Sequence, residues 1–220
     1  MVLEVYHAHY QINTGGYLQK TQIMRPSIAF FDFDGTVTKK DTLFEIVRYT
    51  KGNTALYTGL LMLAPAMVLM KLKMLSNVKV KQLFLQYFFG NMPEQQFRSK
   101  CAAFCRERLP FLIREDALQA IKEHQLQGHR VAVVTASAQE WVQPWCSALG
   151  IECIATRLET VNARITGRIY GENCNGEEKV RRIEEKFSLP LYGEIYAYGD
   201  TSGDKAMLAI ATHPFFRKFN

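Results

Sequence analysis

Four aspartates follow two apolar runs of the sequence, in a pattern suited to phosphoryl chemistry. Asp32 and Asp34 follow the first run, and Asp200 and Asp204 follow the second. Residues two apart on an extended chain project from the same side, so Asp32 and Asp34 can act together. One carboxylate can attack phosphorus to form an aspartyl-phosphate, while the other exchanges a proton with the leaving oxygen. Four converging carboxylates would repel one another without a hard divalent cation among them, which predicts Mg²⁺ as the cofactor.

Donors for the oxygens of a phosphoryl group are predicted at two further positions. Thr135 closes an apolar run just before a predicted helix, where its hydroxyl and the following backbone amides can bind an anion. Lys179, near the start of another predicted helix, supplies a fixed positive charge. Neighbouring residues that we predict to contact the substrate are Gly35, Thr36, Ala136 and Ser137.

Apolar runs that alternate with helical patterns predict the sheet that must position these side chains. Residues 27–33, 130–135 and 194–198 have the apolar character of buried parallel strands, and 138–149 and 176–187 have helical patterns. Strands alternating with helices predict an α/β fold with a doubly wound parallel sheet. Ligands bind beyond the carboxyl ends of such strands, where the acids stand. The remaining predicted elements are strands 151–155, 157–161, 165–170 and 214–219 and a helix at 202–211.

A long helical block separates the first predicted strand from the second. It is too long for one crossover, so we expect an inserted all-helical cap at 38–115 and a catalytic core formed by 25–37 and 116–220. Residues 1–24 are expected to form a tail or an added hairpin. The helices predicted in the block are 41–51, 54–73, 76–90, 93–109 and 114–127.

The acid motifs and the two phosphate donors together resemble the haloacid dehalogenase superfamily of phosphatases. The resemblance covers residues 27–215, and its motifs arrive in the family's order. They are Asp32-Phe33-Asp34-Gly35-Thr36, then Thr135, then Lys179, then Gly199-Asp200 with Asp204.

The resemblance implies a role for each matching residue. Asp32 would be the nucleophile, and Asp34 would protonate the leaving oxygen and then activate water. Mg²⁺ would be held by Asp32, the backbone carbonyl of Asp34, and Asp200, with Asp204 supporting the site from beside it. The residues implied to hold the transferring phosphoryl group are Thr135 and Lys179.

The helical cap resembles that of the phosphoserine-phosphatase-like branch, with two departures. True phosphoserine phosphatases usually have serine where this chain has Gly35, and they place a glutamate near the position of Asp41 to hold the substrate amine. Asp41 could still bind an amino group, although it is also placed to cap the N-terminus of the following helix. Both departures put phosphoserine itself in doubt.

The predicted cap is basic and contains an apolar stretch. Residues 39–114 contain 13 Lys and Arg against four Asp and Glu, a net charge of +9 in a chain whose total is +6. This excess indicates either an anionic partner or a solvated lysine face. Residues 52–70 carry no charge, and the stretch is interrupted by Gly59 and Pro65. The lysines that follow it are Lys71, Lys73, Lys79 and Lys81.

Three structures fit this stretch: ordinary cap helices, an interfacial membrane segment, or a membrane span. In the second case the substrate would be a phosphorylated lipid, and the protein would contact an anionic membrane peripherally at its inner face. The cap also resembles, in pattern alone, that of bacterial phosphatidylglycerophosphatases of the same superfamily. A phosphorylated small molecule remains the other expected substrate.

Other functional classes fit less well. A basic nucleic-acid-binding module is disfavoured because the carboxylates would repel a phosphate backbone and no binding motif is present, so no nucleic-acid partner is expected. A phosphotransferase, passing the phosphoryl group to an acceptor other than water, stays open. The five cysteines lack metal-ligand spacing and no secretory signal is evident, which favours reduced thiols and a cytoplasmic location. The oligomeric state is not predicted.

Overall fold

The computed structural model describes residues 25–219, so the tail or hairpin expected over 1–24 lies outside the described residues. Strands and helices alternate through most of the described chain. The strands are β1 Ser27–Phe31, β2 Arg130–Ala138, β3 Glu152–Val161, β4 Arg164–Tyr170, β5 Glu194–Gly199 and β6 His213–Phe216. The helices are α1 Thr42–Lys71, α2 Asn77–Phe89, α3 Glu94–Glu107, α4 Glu115–Leu126, α5 Gln139–Leu149, α6 Glu177–Lys186 and α7 Lys205–Ala209.

The six strands form one sheet in the order β4-β3-β2-β1-β5-β6. Every neighbouring pair is parallel except β3 and β4, which are antiparallel at one edge. The prediction of a doubly wound α/β fold is therefore confirmed. β1 lies between β2 and β5, which brings the ends of all three strands to one edge of the sheet.

Alternate side chains of the central strands build two separate cores, one on each face of the sheet. Ala29 and Phe31 of β1 belong to a large cluster that includes residues of α1 to α5. Ile28 and Phe30 belong to a smaller cluster with residues of α6 and α7. Because successive residues of a strand point to opposite faces, the continuous apolar run of β1 is needed to fill both cores.

The helices α1, α2 and α3 lie between β1 and β2 in the chain, where the inserted cap was expected. The two helices predicted over 41–51 and 54–73 are present as the two parts of α1, which are separated by a non-helical residue, Gly52, with φ of +87°. Glycine adopts this angle without steric cost, so it allows the kink. α2 packs on α1 and β4, and α3 packs on α5.

The chain enters and leaves this helical segment through two backbone segments that lie next to each other. Lys39 N donates to Leu112 O at 2.8 Å, and Arg114 N donates to Val37 O at 2.9 Å. Thr38 pairs with Ile113 as an isolated antiparallel bridge. The two connections between the helical segment and the sheet therefore lie side by side.

The predicted elements differ from the structure most at three places. β2 continues past Thr135 to Ala138, with an irregular register in between. The strand predicted at 151–155 and the first arm of the predicted hairpin form one strand, β3. The predicted helix at 202–211 is a single 3₁₀ turn followed by α7, because Thr201 and Asp204 cap each other there.

Candidate active site

The predicted acids meet at the carboxyl edge of the sheet. Asp32 directly follows β1, and Asp200 directly follows the neighbouring strand β5. Oxygen atoms of Asp32, Asp200 and Asp204 lie within 4.8 Å of one another. Asp32 N donates to Tyr198 O at 2.9 Å, which holds the two strand ends in register.

Lys179 is buried at the centre of these acids. Its Nζ donates to Asp32 Oδ1 at 2.5 Å, to Asp204 Oδ1 at 2.6 Å and to Val134 O at 2.7 Å. Burial disfavours its charge, but the two carboxylates outweigh burial and raise the pKa of the Lys179 ammonium. Lys179 is therefore a fixed cation beside Asp32, as a residue that holds phosphoryl oxygens must be.

The two carboxylates that share Lys179 have different protonation equilibria. Burial raises the pKa of Asp32 to about 7, with the negative charge of Asp204 adding to the shift and Lys179 opposing it. Asp204 is also buried, but Lys179 and Thr201 outweigh burial, so its pKa is lowered. One cation thus stabilises Asp204 fully and Asp32 incompletely, which leaves Asp32 able to bind a further positive group.

Asp204 organises the loop after β5 through its second carboxylate oxygen. Its Oδ2 accepts from Asp200 N at 3.2 Å, Thr201 N at 2.9 Å and Thr201 Oγ1 at 2.8 Å. Both oxygens of Asp204 are therefore engaged by the protein itself. Asp200 keeps more freedom: its Oδ1 accepts from Thr36 Oγ1 at 3.2 Å, and burial raises its pKa.

Asp34 is held by partners on two other elements. Its Oδ1 accepts from Thr42 N at 2.7 Å, and its Oδ2 accepts from Ser137 Oγ. Thr42 Oγ1 in turn accepts from Trp141 Nε1 at 3.0 Å. This network fixes the second aspartate outside the group formed by Asp32, Asp200 and Asp204, as a proton donor to a leaving group requires.

Gly35 lies so close to Asp200 that a side chain at this position would not fit. Its φ is +87°, and a Cβ at this position would overlap the carboxylate of Asp200. Glycine is thus required by this backbone conformation.

Thr135, Ala136 and Ser137 lie in the irregular last part of β2. Ser137 N donates to Thr135 Oγ1 at 3.0 Å, while Ala136 O faces the cap. The helix predicted over 138–149 is present as α5, which begins at Gln139, and β2 continues past Thr135 up to it. All three residues line the same cavity as Asp32 and Asp34.

This cavity has a volume of about 310 Å³ and carries a charged pair on its cap side. Asp41 accepts from Leu43 N at 2.8 Å as the N-cap of α1, and burial, followed by the charge of Asp34, raises its pKa to about 6. The capping role of Asp41 is thus present, and its carboxylate also lines the cavity. It stands where a substrate amine could bind.

Lys81 of α2 is a site residue that the sequence analysis missed. Its Nζ donates to Ala136 O at 2.5 Å and to Asn173 Oδ1 at 2.9 Å. Grouping it with the lysines that follow the apolar stretch was wrong, because its side chain enters the catalytic cavity. Burial lowers the pKa of Lys81 to about 8, with Asp34 and Asp41 opposing. Only its position opposite Ala136 in the folded chain distinguishes it from the exposed Lys79.

The donor set fits a hard divalent cation. Asp32, Asp200 and Asp204 offer carboxylate oxygens within one small volume, and the group contains no histidine or cysteine. Oxygen-only sites of this kind suit Mg²⁺. Since both oxygens of Asp204 already have protein partners, Asp32 and Asp200 are the carboxylates best placed to ligate.

The fold, the buried lysine and the paired aspartates together define a phosphatase site on an α/β hydrolytic domain. The chain belongs to the haloacid dehalogenase-like hydrolase family, whose model matches residues 29–209. Its fold is also that of solved phosphoserine phosphatases.

Individual relatives and solved structures match most of the chain. Protein CicA of Caulobacter vibrioides is 35% identical over 196 residues, covering 88% of this chain and 87% of that protein. A solved structure from Bordetella pertussis, of unknown function, has a TM-score of 0.73 at 22% identity, covering 86% of this chain and 88% of the other. A phospho-aspartyl intermediate analogue of a phosphoserine phosphatase has a TM-score of 0.60 at 20% identity, covering 85% and 84%. The two structures share the fold with this chain.

Proposed function

We propose that this protein is a Mg²⁺-dependent phosphomonoester hydrolase that works through an aspartyl-phosphate on Asp32. The observation that carries this proposal is the placement of Asp32. Its carboxylate is buried at the end of β1, contacts Lys179, and lies within 4.8 Å of oxygens of Asp200 and Asp204. A carboxylate held beside a fixed cation, with a second aspartate two residues away, has what nucleophilic attack on phosphorus needs.

The reaction proceeds in two displacements. An oxygen of Asp32 attacks phosphorus, the bond from phosphorus to the leaving oxygen breaks, and the Asp34 carboxylic acid gives that oxygen its proton. Asp34, now a carboxylate, takes a proton from water, and the water oxygen attacks phosphorus and releases Asp32 and inorganic phosphate. Ser137 and Thr42 orient Asp34 for both proton transfers.

The remaining residues bind and orient the phosphoryl group. Lys179 and the Thr135 hydroxyl are proposed to contact its non-bridging oxygens. Mg²⁺ would be held by Asp32, the backbone carbonyl of Asp34, and Asp200, and would supply positive charge to the transferring group. Asp204 would keep Asp200 and Lys179 in place through its own hydrogen bonds.

The substrate is proposed to be a phosphorylated small molecule or a lipid-linked phosphate. Asp41 and Lys81 on the cap side of the cavity offer opposite charges to the group beyond the phosphate. We place residues 38–115 as the cap, since the chain enters and leaves this segment through adjacent backbone at Thr38 and Ile113. A cytoplasmic protein with peripheral membrane contact fits this proposal.

Replacement of the nucleophile tests the proposal directly. We expect Asp32→Asn to lower the turnover of p-nitrophenyl phosphate by at least about a thousandfold while the thermal unfolding transition stays cooperative. Asp116→Asn is the matched control, because Asp116 is an exposed acid at the start of α4 and should leave turnover unchanged. Turnover near that of the wild type in Asp32→Asn would refute the assignment.

A further inference from the structure

The outer part of α1 and the turn into α2 expose large apolar side chains. Leu61, Met62, Leu72 and Met74 are 63% to 70% exposed. No residue from 60 to 83 is buried by the described part of the chain. Since α1 has the length and apolar composition of a membrane-crossing helix, with only 11% of its most apolar part buried, this surface marks an interaction site.

The outer part of α1 and the start of α2 form a helical hairpin, residues 54–80, and its charge restricts the kind of partner it can bind. Between Glu45 and Glu94 the chain has no Asp or Glu, and Lys71, Lys73 and Lys79 are exposed around the apolar tip. A fitting partner must therefore offer apolar volume and negative charge together. The surface of a bilayer that contains anionic lipids offers both.

A second copy of the chain fits this surface poorly. A symmetric dimer places the same patch of each copy against the other, so the lysines of both would meet. The patch contains no carboxylate that could pair with them. Docking on an anionic surface, in contrast, neutralises the same lysines.

The first part of α1 rules out a span by the whole helix. Thr42, Glu45, Ile46 and Val47 are buried in the protein core. Beyond the kink at Gly52, Leu56 and Gly59 are also buried in the protein, which leaves an apolar segment from 60 to 70 that is shorter than the roughly 20 residues a membrane span needs. The hairpin is therefore suited to lie in the membrane interface.

A second cavity lies beside the catalytic one, on the side of this hairpin. It has a volume of about 350 Å³, and Phe44, Leu56, Tyr57 and Leu60 form its apolar wall. The rest of its lining is charged and consists of Lys40, Asp41, Glu45 and Arg48. Asp41 lines both cavities, and Tyr57 is 61% exposed on α1, so the apolar wall reaches the exposed helix.

We propose that the hairpin formed by residues 54–80 docks on an anionic bilayer and that the adjoining cavity holds the apolar part of a phosphomonoester taken from it. The docking surface stands on the exposed apolar side chains and the absence of acids. The substrate class, a lipid phosphomonoester, rests on the proposed hydrolase function.

Docking is tested without any substrate. The full chain is sedimented with vesicles of phosphatidylcholine and phosphatidylglycerol, and separately with vesicles of phosphatidylcholine alone. We expect binding to the anionic vesicles that weakens with added salt. Leu61→Glu/Leu72→Glu should weaken it by at least about tenfold, because two charges replace side chains that enter the interface. The matched control is Leu126→Glu on α4, where Leu126 is 86% exposed, and it should bind as the wild type does.

Two results would overturn the docking proposal. One is equal binding by the wild type and the double variant. The other is that the wild type does not bind vesicles and is a dimer, while the double variant is a monomer. That result would assign the apolar surface to contact with a second copy of the chain. Unchanged turnover of p-nitrophenyl phosphate by the double variant, relative to the wild type, serves as the folding control.

The substrate class is tested by turnover of phosphatidic acid in the same vesicles. The double variant should hydrolyse it more slowly than the wild type, while both hydrolyse p-nitrophenyl phosphate equally. If the wild type hydrolyses p-nitrophenyl phosphate but leaves phosphatidic acid intact, the lipid substrate is refuted. If it binds vesicles but hydrolyses neither ester, the hydrolase proposal fails and docking stands.

Discussion

At the scale of single residues, the positive charge of Lys179 stabilises two carboxylates to different extents. Lys179 contacts both Asp32 and Asp204, but Asp204 has further donors on its second oxygen and Asp32 has none from the loop after β5. The less stabilised carboxylate is Asp32, the proposed nucleophile. Its pKa near 7 reflects burial with incomplete compensation, so a bound cation would shift it strongly toward the ionised form.

The pKa of Lys81 predicts a pH dependence of substrate binding. Below about pH 8 its side chain is protonated and attracts an anionic substrate, and above about pH 8 the charge is lost. We therefore expect KM to rise as the pH increases through 8, with a smaller change in kcat. Steady-state kinetics from pH 6 to pH 10 measures this (roughly two units on either side of the pKa).

Lys81→Arg is the control for that dependence. Its guanidinium remains charged over the whole range, so the rise in KM around pH 8 should disappear. A rise of the same size in the Arg variant would assign the titration to another group.

At the scale of elements, the position of Lys81 depends on the contact between α1 and α2. Gly59 of α1 is buried against Phe88 of α2, where a Cβ would overlap the phenylalanine ring. The absence of a side chain at Gly59 thus lets the two helices approach closely. α2 also packs on β4, so the contact fixes the cap against the sheet.

We expect Gly59→Val to lower the free energy of unfolding by about 1–3 kcal/mol, because it overpacks this contact. It should also lower kcat/KM, since a displaced α2 carries Lys81 away from Ala136. Chemical denaturation and steady-state kinetics measure the two effects.

Thr58→Val introduces the same side chain at the neighbouring exposed position of α1 and should change neither quantity much. If both variants lost the same free energy of unfolding and the same kcat/KM, the cause would be valine within the helix itself and not the contact between α1 and α2.

At the scale of the whole molecule, the acids link stability to metal binding. Asp32, Asp200 and Asp204 come from two separate parts of the chain, so the group of three exists only in the folded state. A cation that binds the folded state alone stabilises it by mass action. Without the cation, the converging carboxylates oppose folding.

We expect Mg²⁺ to raise the melting temperature of the wild type and to have little effect on Asp200→Asn. In metal-free buffer the variant should melt at the same temperature as the wild type or higher, since one half-buried carboxylate is removed and the oxygen that accepts from Thr36 is kept. Differential scanning calorimetry with and without Mg²⁺ measures both. A lower melting temperature of the variant without metal would contradict the repulsion argument.

The parallel sheet and the order of the acid motifs could be predicted from local sequence patterns. Apolar runs such as Ser27–Phe31 must be buried on both faces, and parallel strands bring Asp32 and Asp200 to the same edge. Which of several similar lysines faces the cavity, and which apolar side chains of α1 remain exposed, depends on the packing of the folded chain. Both depend on how α1 and α2 pack against the sheet, and contacts between residues far apart in the chain leave no pattern in its local sequence.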